Sequence, residues 1–144
     1  MRRRYRPGMK WFGLFAATAL APWVFTPAAA AQLTSFTSPS GNIGCIMDQD
    51  WVRCDIAERS WSPPPRPADC PSVTGYGQGI EMRGAGPAEF VCAGDTTLHS
   101  GPSLPYGHTN AVDGLSCASA PTGMTCTNRD NHGFTISRDV YRLF

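Results

Sequence analysis

Apolar and polar residues alternate with a period of two along much of the chain beyond residue 31. Two segments show this alternation on both sides of a short polar or Pro/Gly break, which is typical of a β-hairpin. The alternating positions are Ile43, Cys45, Met47, Val52, Cys54 and Ile56 in the first segment, and Leu115, Cys117, Met124 and Cys126 in the second. No eleven-residue window here shows convincing 3.6-residue periodicity, so the pattern predicts an all-β domain.

Further strands are predicted between turns that are rich in Gly, Pro and Asn. They cover residues 32–37, 80–83, 88–93 and 134–137. Residues 139–144 either extend the last strand or form one helical turn that Ser137 caps. We therefore expect a small antiparallel β-sandwich or an open barrel.

Two loops are rich in proline. Residues 58–71 contain five prolines and must be extended, polyproline-like chain, and residues 101–107 form a second rigid loop. The first loop is either a rigid crossover, with Trp61 packed on its own prolines, or a segment that an aromatic groove on a partner binds.

The first 31 residues have the pattern of a signal peptide. Five basic residues and no acid precede an uncharged apolar stretch at 11–25, and small residues at 27–31 favour cleavage before Gln32 or one residue earlier. A retained membrane anchor is the alternative, since residues 11–31 lack charge, but Pro22 and Pro27 interrupt the stretch. We expect residues 1–31 to be a signal peptide and 32–144 to be a single domain, secreted or held in the cell envelope.

The charge of residues 32–144 excludes one class of partner. They contain seven arginines, no lysine and eleven acids, so their formal charge is −4. A nucleic-acid-binding domain depends on basic side chains that neutralise phosphates. We therefore expect no nucleic-acid partner, and contact with a membrane only if the leader is retained.

Six cysteines in a short exported domain indicate disulfides rather than free thiols. An even-length loop centred on residues 49–50 places Cys45 opposite Cys54, and a four-residue loop at 120–123 does the same for Cys117 and Cys126. A three-residue second turn would shift this register. By elimination, the third predicted disulfide is Cys70–Cys92. No cysteine or histidine spacing matches a zinc site, so no metal is expected.

The two hairpins share one pattern around their cysteines, with eight residues between the members of each pair. A duplicated half-domain and the independent recurrence of a stable hairpin both account for this.

Seven short motifs occur in a specific order along residues 36–138. They are FTSPSGNIGC at 36–45, RCDI at 53–56, PPPRPADC at 63–70, FVCAGDT at 90–96, LPYG at 104–107, TCTN at 125–128 and HGFTISR at 132–138. Together they resemble a family of small exported actinobacterial (mycobacterial-type) proteins known only as a domain of unknown function. The resemblance implies an exported, disulfide-linked domain, and it implies no activity or catalytic residue.

Candidate catalytic chemistry is sparse. Asp95, His132 and Arg138 stand beside turns after different strands, where a β-scaffold commonly displays functional groups. In the catalytic interpretation, Asp95 orients His132 for acid–base chemistry and Arg138 binds an anion. The first two also fit ordinary turn positions. Ser103 lacks the second glycine of a nucleophile elbow, and the acids at 48 and 50 lack the rest of a calcium loop.

Four aromatic residues are candidates for stacking against a sugar or a peptide, although they also suit a core. They are Trp51, Trp61, Tyr76 and Tyr106. We expect a non-enzymatic exported domain without a cofactor, which binds a partner or a glycan at the envelope or outside the cell. The alternatives are a small hydrolase that uses Asp95 and His132, and a protease-inhibitor-like module with rigid loops at 60–71 and 101–107.

Overall fold

The computed structural model describes residues 32–144, and the predicted signal peptide lies outside the described residues. Residues 32–144 form ten β-strands and no helix. Accordingly, this part of the chain has no helix long and apolar enough to cross a membrane. The strands are β1 (Thr34–Thr37), β2 (Ile43–Met47), β3 (Trp51–Ile56), β4 (Tyr76–Arg83), β5 (Glu89–Cys92), β6 (Thr109–Val112), β7 (Leu115–Ala120), β8 (Gly123–Thr127), β9 (Gly133–Ile136) and β10 (Tyr141–Leu143).

The strands build two five-stranded antiparallel sheets, and each sheet follows chain order. The first has the order β1-β2-β3-β4-β5 and the second β6-β7-β8-β9-β10. The apolar positions of each hairpin face the other sheet, which follows from the alternation of side chains along a strand. The predicted all-β class is confirmed, and the two packed sheets make it a sandwich.

All three predicted disulfides form. Cys45 and Cys54 lie directly opposite each other in the β2–β3 ladder with their Cα atoms 4.1 Å apart, and Cys117 and Cys126 repeat this arrangement in β7–β8. Cys70–Cys92 links the proline-rich segment to β5, and residues 32–144 contain no free cysteine.

The turn of the second hairpin is shorter than predicted. Ala120 pairs with Gly123, so only Pro121 and Thr122 form the loop instead of four residues. The fixed φ of Pro121 suits the first central position of an ordinary turn, and Gly123 adopts the positive φ of 130° that follows it. The disulfide register is unchanged because both loops have even length and the same centre.

Three further strands, β4, β6 and β10, differ from the prediction. Strand β4 begins at Tyr76, inside the glycine-rich stretch, because its first residue pairs with Cys92 of β5. Strand β6 was not predicted, since an edge strand with half-exposed side chains lacks a clear apolar alternation. The C-terminal residues neither extend β9 nor form a helical turn, the two alternatives left open, but form a separate strand β10 that pairs with β9. The Ser137 side chain bonds both backbone groups of Val140, at 2.9 and 3.2 Å.

The centre of the sandwich is a contact between two disulfides. The Sγ atoms of Cys54 and Cys126 lie 3.8 Å apart, and both residues are fully buried. The largest buried side chains around them are Phe36, Met47, Ile80, Met82, Leu115, Met124, Phe134 and Ile136. Each disulfide therefore serves both as a cross-strand link and as part of the apolar core.

Trp61 closes one open edge of the sandwich. Its ring centroid lies 6.1 Å from that of Phe90 in the first sheet and 4.8 Å from that of Tyr141 in the second, and its Nε1 donates to the Ser137 carbonyl at 2.8 Å. The segment at 58–71 thus runs along this edge as a crossover between β3 and β4, and Trp61 packs on both sheets.

The likeness between the two hairpins extends to the whole sheets. In each sheet the disulfide joins the second and third strands. The two third strands meet across the core at Cys54 and Cys126, and the two fourth strands, β4 and β9, also contact each other. A duplicated half-domain would produce this arrangement.

The crossover from β5 to β6, residues 93–108, passes over the outer face of the first sheet. It approaches β2 so closely that a methyl group at Gly44 would collide with the Thr97 carbonyl oxygen and lie 2.8 Å from the Leu98 Cα. Gly44 has no positive φ, so its absent side chain serves this close contact rather than a special backbone conformation.

We expect Gly44→Ala to lower the free energy of unfolding by about 1–3 kcal/mol, the usual cost of overpacking. Gly94→Ala is the matched control, because a Cβ at Gly94 meets nothing within 4 Å and its φ is not positive. It should change stability by less than about 0.5 kcal/mol. Urea denaturation of the oxidised proteins measures both values, and equal stability of the two variants would contradict the close packing of the crossover.

Candidate functional site

A cleft of about 510 Å³ opens at one end of the sandwich. Segments of both sheets meet there. They are the β1–β2 turn, the residues after β3, the β5–β6 crossover (called the crossover from here on), the β7–β8 turn and the residues after β9. We call it the end cleft, and its principal side chains are those of Ser40, Asn42, Glu58, Tyr106, Pro121 and Arg138.

The backbone on both sides of Tyr106 is anchored, one side to each sheet. Leu104 N donates to the Thr37 carbonyl and Gly107 N to the Ser119 carbonyl, both at 2.8 Å. The Leu104 side chain is buried, whereas the Tyr106 side chain is 48% exposed. The crossover therefore presents one aromatic ring to solvent from a firmly held backbone.

The polar wall of the end cleft combines a fixed amide with two charged groups. The Asn42 side chain donates to the Glu58 carbonyl at 2.9 Å and accepts from the Glu58 amide at 2.8 Å, so the Glu58 backbone is locked. The Glu58 carboxylate lies 3.7 Å from the Arg138 guanidinium, and both side chains are about 70% exposed. Such a loose, exposed ion pair leaves both groups accessible to a ligand.

The three residues of the predicted hydrolase site are not brought together. Asp95 pairs with Arg53, the His132 ring nitrogen Nδ1 lies 3.4 Å from the Phe144 carbonyl oxygen, and Arg138 lies in the end cleft beside Glu58. Across residues 32–144, no hydrogen bond or ion pair joins any two of the three.

The four candidate aromatic residues also have different surroundings. Trp51 donates from Nε1 to Glu81 at 2.9 Å, and Trp61 closes the sandwich edge. Tyr76 packs 6.4 Å from Phe90. All three are half-buried, so Tyr106 is the exposed member of the set.

A buried polar network on the outer face of β3 is a feature that sequence reasoning missed. Arg53 donates to both Asp55 oxygens at 2.9 and 2.8 Å and to an Asp95 oxygen at 2.8 Å. Burial alone would lower the pKa of Arg53, but these bonds outweigh it and the pKa is raised overall. The RCD sequence at 53–55 did not reveal the network, because outward positions of a strand normally face water.

Thr97 completes this network from the crossover. Its amide donates to Asp55 at 3.1 Å, and its hydroxyl accepts from the Asp55 amide at 3.1 Å and donates to the Gly44 carbonyl at 2.6 Å. The network therefore ties the crossover to β2 and β3, upstream of the point where it delivers Tyr106 to the end cleft.

One group of three cysteines has the proximity of a metal site. The Sγ atoms of Cys54, Cys117 and Cys126 lie within 4.8 Å of one another. All three are in disulfides, so they offer no thiolate to a metal ion.

We expect Asp95→Asn to reduce the loss of stability in acid. Hydrogen bonding to Arg53, followed by its charge, lowers the pKa of Asp95. The ion pair therefore stabilises the fold above the unfolded pKa of about 3.9, and this stability is lost as the pH falls through the lower folded pKa. The effect is small because Asp95 is 82% exposed.

Urea denaturation midpoints between pH 7 and pH 2 measure this difference. Asp69→Asn is the control, since the Asp69 side chain is exposed and has no ion pair among the described residues. If the urea midpoint falls equally steeply with decreasing pH in Asp95→Asn and in the unaltered protein, the Arg53–Asp95 ion pair contributes nothing to stability.

The chain matches a known protein family along most of its length. The model of a family described as "Family of unknown function (DUF6636)" matches residues 18–144. No curated protein and no solved structure matches the chain.

Proposed function

We propose, for a chain that belongs to the DUF6636 family of unknown function, that the domain works outside the cytoplasm and binds a glycan in the end cleft. Three disulfides in a small β domain suggest an oxidising, extracellular setting, because cytosolic thiols are kept reduced. The leader predicted at residues 1–31 supports the same compartment.

The observation that carries the proposal is the exposed ring of Tyr106 beside accessible hydrogen-bonding groups. A sugar ring has an apolar face of C–H groups and a rim of hydroxyls. The Tyr106 face is complementary to the first, and the carboxylate of Glu58 and the guanidinium of Arg138 are complementary to the second. A few polar groups around an apolar surface is the usual composition of a small-ligand site.

Rigidity of the cleft walls supports binding without a large ordering cost. The β7–β8 turn belongs to a disulfide-linked hairpin, and the Asn42 side chain holds the residues after β3. The Arg53 network holds the crossover before it reaches Tyr106. A preformed site loses less conformational freedom when the ligand binds.

The positions of the polar candidates favour binding over the hydrolase alternative. General acid–base chemistry needs a carboxylate and an imidazole within hydrogen-bond reach of each other or of the substrate. The Asp95 carboxylate is already paired with Arg53, and His132 lies in the turn between β8 and β9.

We expect the unaltered protein to bind at least one of four insoluble polysaccharides, peptidoglycan, chitin, cellulose and cross-linked dextran, and Tyr106→Ala to bind it more weakly, as measured by co-sedimentation. Loss of one stacking platform should weaken binding by roughly ten-fold, equivalent to about 1.4 kcal/mol. Tyr106→Phe keeps the ring and should retain most of the binding.

Phe144→Ala is the matched control, since Phe144 is 49% exposed and lies near Gly133, at the opposite end of β9 from the end cleft. It should bind like the unaltered protein. Failure of the unaltered protein to bind any of the four polysaccharides, or equal loss in Phe144→Ala, would overturn the glycan proposal.

One observation favours a second candidate, the protease-inhibitor-like module. The loop predicted at 60–71 continues to residue 75, just before β4, and Cys70–Cys92 holds it. Within residues 62–75, and beyond the predicted bounds, Val73 is 95% exposed. The Thr74 amide donates to the Pro71 carbonyl at 3.0 Å, so Val73 sits in a closed turn. An exposed small aliphatic side chain on a rigid loop fits the specificity pocket of an elastase-type protease.

This candidate predicts that an excess of the protein inhibits pancreatic elastase, and that Val73→Asp abolishes the inhibition because a carboxylate is excluded from an apolar pocket. Residual hydrolysis of a chromogenic substrate measures both. Val140→Asp is the control, an exposed valine outside the loop. Full elastase activity in the presence of the unaltered protein would eliminate the candidate.

A further inference from the structure

The three disulfides differ in their access to solvent. All four cysteines of the two hairpin disulfides are 0% exposed, so no external thiol reaches them in the folded protein. In Cys70–Cys92, Cys70 is 5% exposed whereas Cys92 is exposed. Thiol–disulfide exchange depends on which sulfur an incoming thiolate can reach. Among the disulfide cysteines of residues 32–144, Cys92 is the exposed residue, so we infer that an incoming thiolate attacks its sulfur.

A cation lies against the other sulfur of the same disulfide. The Arg66 guanidinium NH1 is 3.2 Å from the Cys70 Sγ. The same nitrogen donates to the carbonyls of Pro71 and Thr74 at 2.9 and 2.8 Å, and the guanidinium carbon lies 5.3 Å from the centre of the Tyr76 ring. These contacts hold the charge in place beside the sulfur.

An adjacent arginine lowers the pKa of a cysteine thiol, because it stabilises the thiolate. In thiol–disulfide exchange, the sulfur with the lower thiol pKa leaves faster. Cys92 is thus the end of the bond open to attack, and Cys70, beside Arg66, is the better leaving group. This arrangement favours attack at Cys92 over attack at Cys70.

We propose that Cys70–Cys92 is a site of thiol–disulfide exchange with an external dithiol. A thiolate of the dithiol forms a bond with Cys92 Sγ, and the electron pair of the Cys92–Cys70 bond leaves with Cys70 as a thiolate beside Arg66. The second thiol of the dithiol, after losing its proton, then attacks the mixed disulfide and releases Cys92, and both cysteines take up protons. The dithiol is oxidised to a disulfide, and Cys70 and Cys92 are reduced.

Reduction at this site frees the loop at 62–75 from β5 and leaves the sandwich intact. The loop is continuous with β3 and β4, and Cys70–Cys92 is the disulfide that cross-links it to β5. The ladders of both sheets are linked by their own buried disulfides. The site therefore changes the mobility of the loop that displays Val73, without unfolding the domain.

The first experiment measures selectivity in the unaltered, oxidised protein without denaturant. Limiting dithiothreitol is added, free thiols are alkylated at intervals and the modified peptides are identified by mass spectrometry. We expect Cys70 and Cys92 to be alkylated at least about ten-fold faster than the four buried cysteines, because exchange requires access. In a parallel sample, the oxidised protein is treated with glutathione, a monothiol that cannot complete the second step. The mixed disulfide that is trapped should be on Cys92.

The second experiment separates the charge of Arg66 from its structural contacts. Arg66→Gln should slow exchange roughly three- to ten-fold through the higher pKa of the leaving thiol, and Arg66→Lys should restore most of the rate. A purely structural role predicts the opposite sign, since a loosened loop exposes the disulfide and speeds exchange. Arg59→Gln is the matched control, because Arg59 lies 4.6 Å from the Trp61 ring centre and bonds the Gly77 carbonyl rather than a sulfur.

Far-UV circular dichroism of the reduced protein tests whether the sheets persist, and we expect an unchanged β spectrum. Opening of a hairpin disulfide at the same rate as Cys70–Cys92, or glutathione trapped on Cys70, would overturn the proposal even if no Arg66 variant folds. An Arg66→Gln protein that exchanges as fast as the unaltered one, or faster, would overturn the role of the guanidinium.

Discussion

Two disulfides pack against each other at the centre of the sandwich, through Cys54 and Cys126, and this is the main constraint on the fold. Each disulfide joins directly opposite residues, so it fixes the register of its hairpin, and a shift by one residue would turn every apolar side chain outward. The 3.8 Å contact between the Cys54 and Cys126 sulfurs then fixes the position of one hairpin relative to the other. Covalent links and apolar packing thus specify the same arrangement, and each cross-link contributes about 3 kcal/mol by restricting the unfolded chain.

A second constraint acts on the outer face of the first sheet. A buried guanidinium or carboxylate is costly unless it is paired, and Arg53 and Asp55 are buried together. Their remaining hydrogen-bonding groups are satisfied by Asp95 and Thr97 of the crossover. The pair therefore requires the crossover to lie where it does, and the crossover leads to Tyr106. In this way a network remote from the end cleft determines where the exposed ring is placed.

The predicted strands show where a local pattern is sufficient. The two hairpins were predicted with their disulfides because alternation and even spacing define a register from nearby residues alone. The same reasoning missed β6 and the start of β4, where exposure on an edge and glycines weaken the alternation. The same reasoning predicted four residues for the turn at Pro121, which has two. A two-residue turn with ordinary φ at Pro121 fits there because Gly123 adopts a positive φ.

Short spacings and composition were enough to predict the all-β class and the two hairpin disulfides, and to expect export, whereas Cys70–Cys92 followed by elimination. The partners of the candidate residues, in contrast, depend on how distant segments pack together. Asp95 is bonded to a residue 42 positions away, and Tyr106 lines the same cleft as Arg138 and Glu58 only because the β5–β6 crossover carries it to the junction of both sheets. Contacts of this kind follow from the packing of the sheets, and no local pattern encodes which distant side chains will share a cleft.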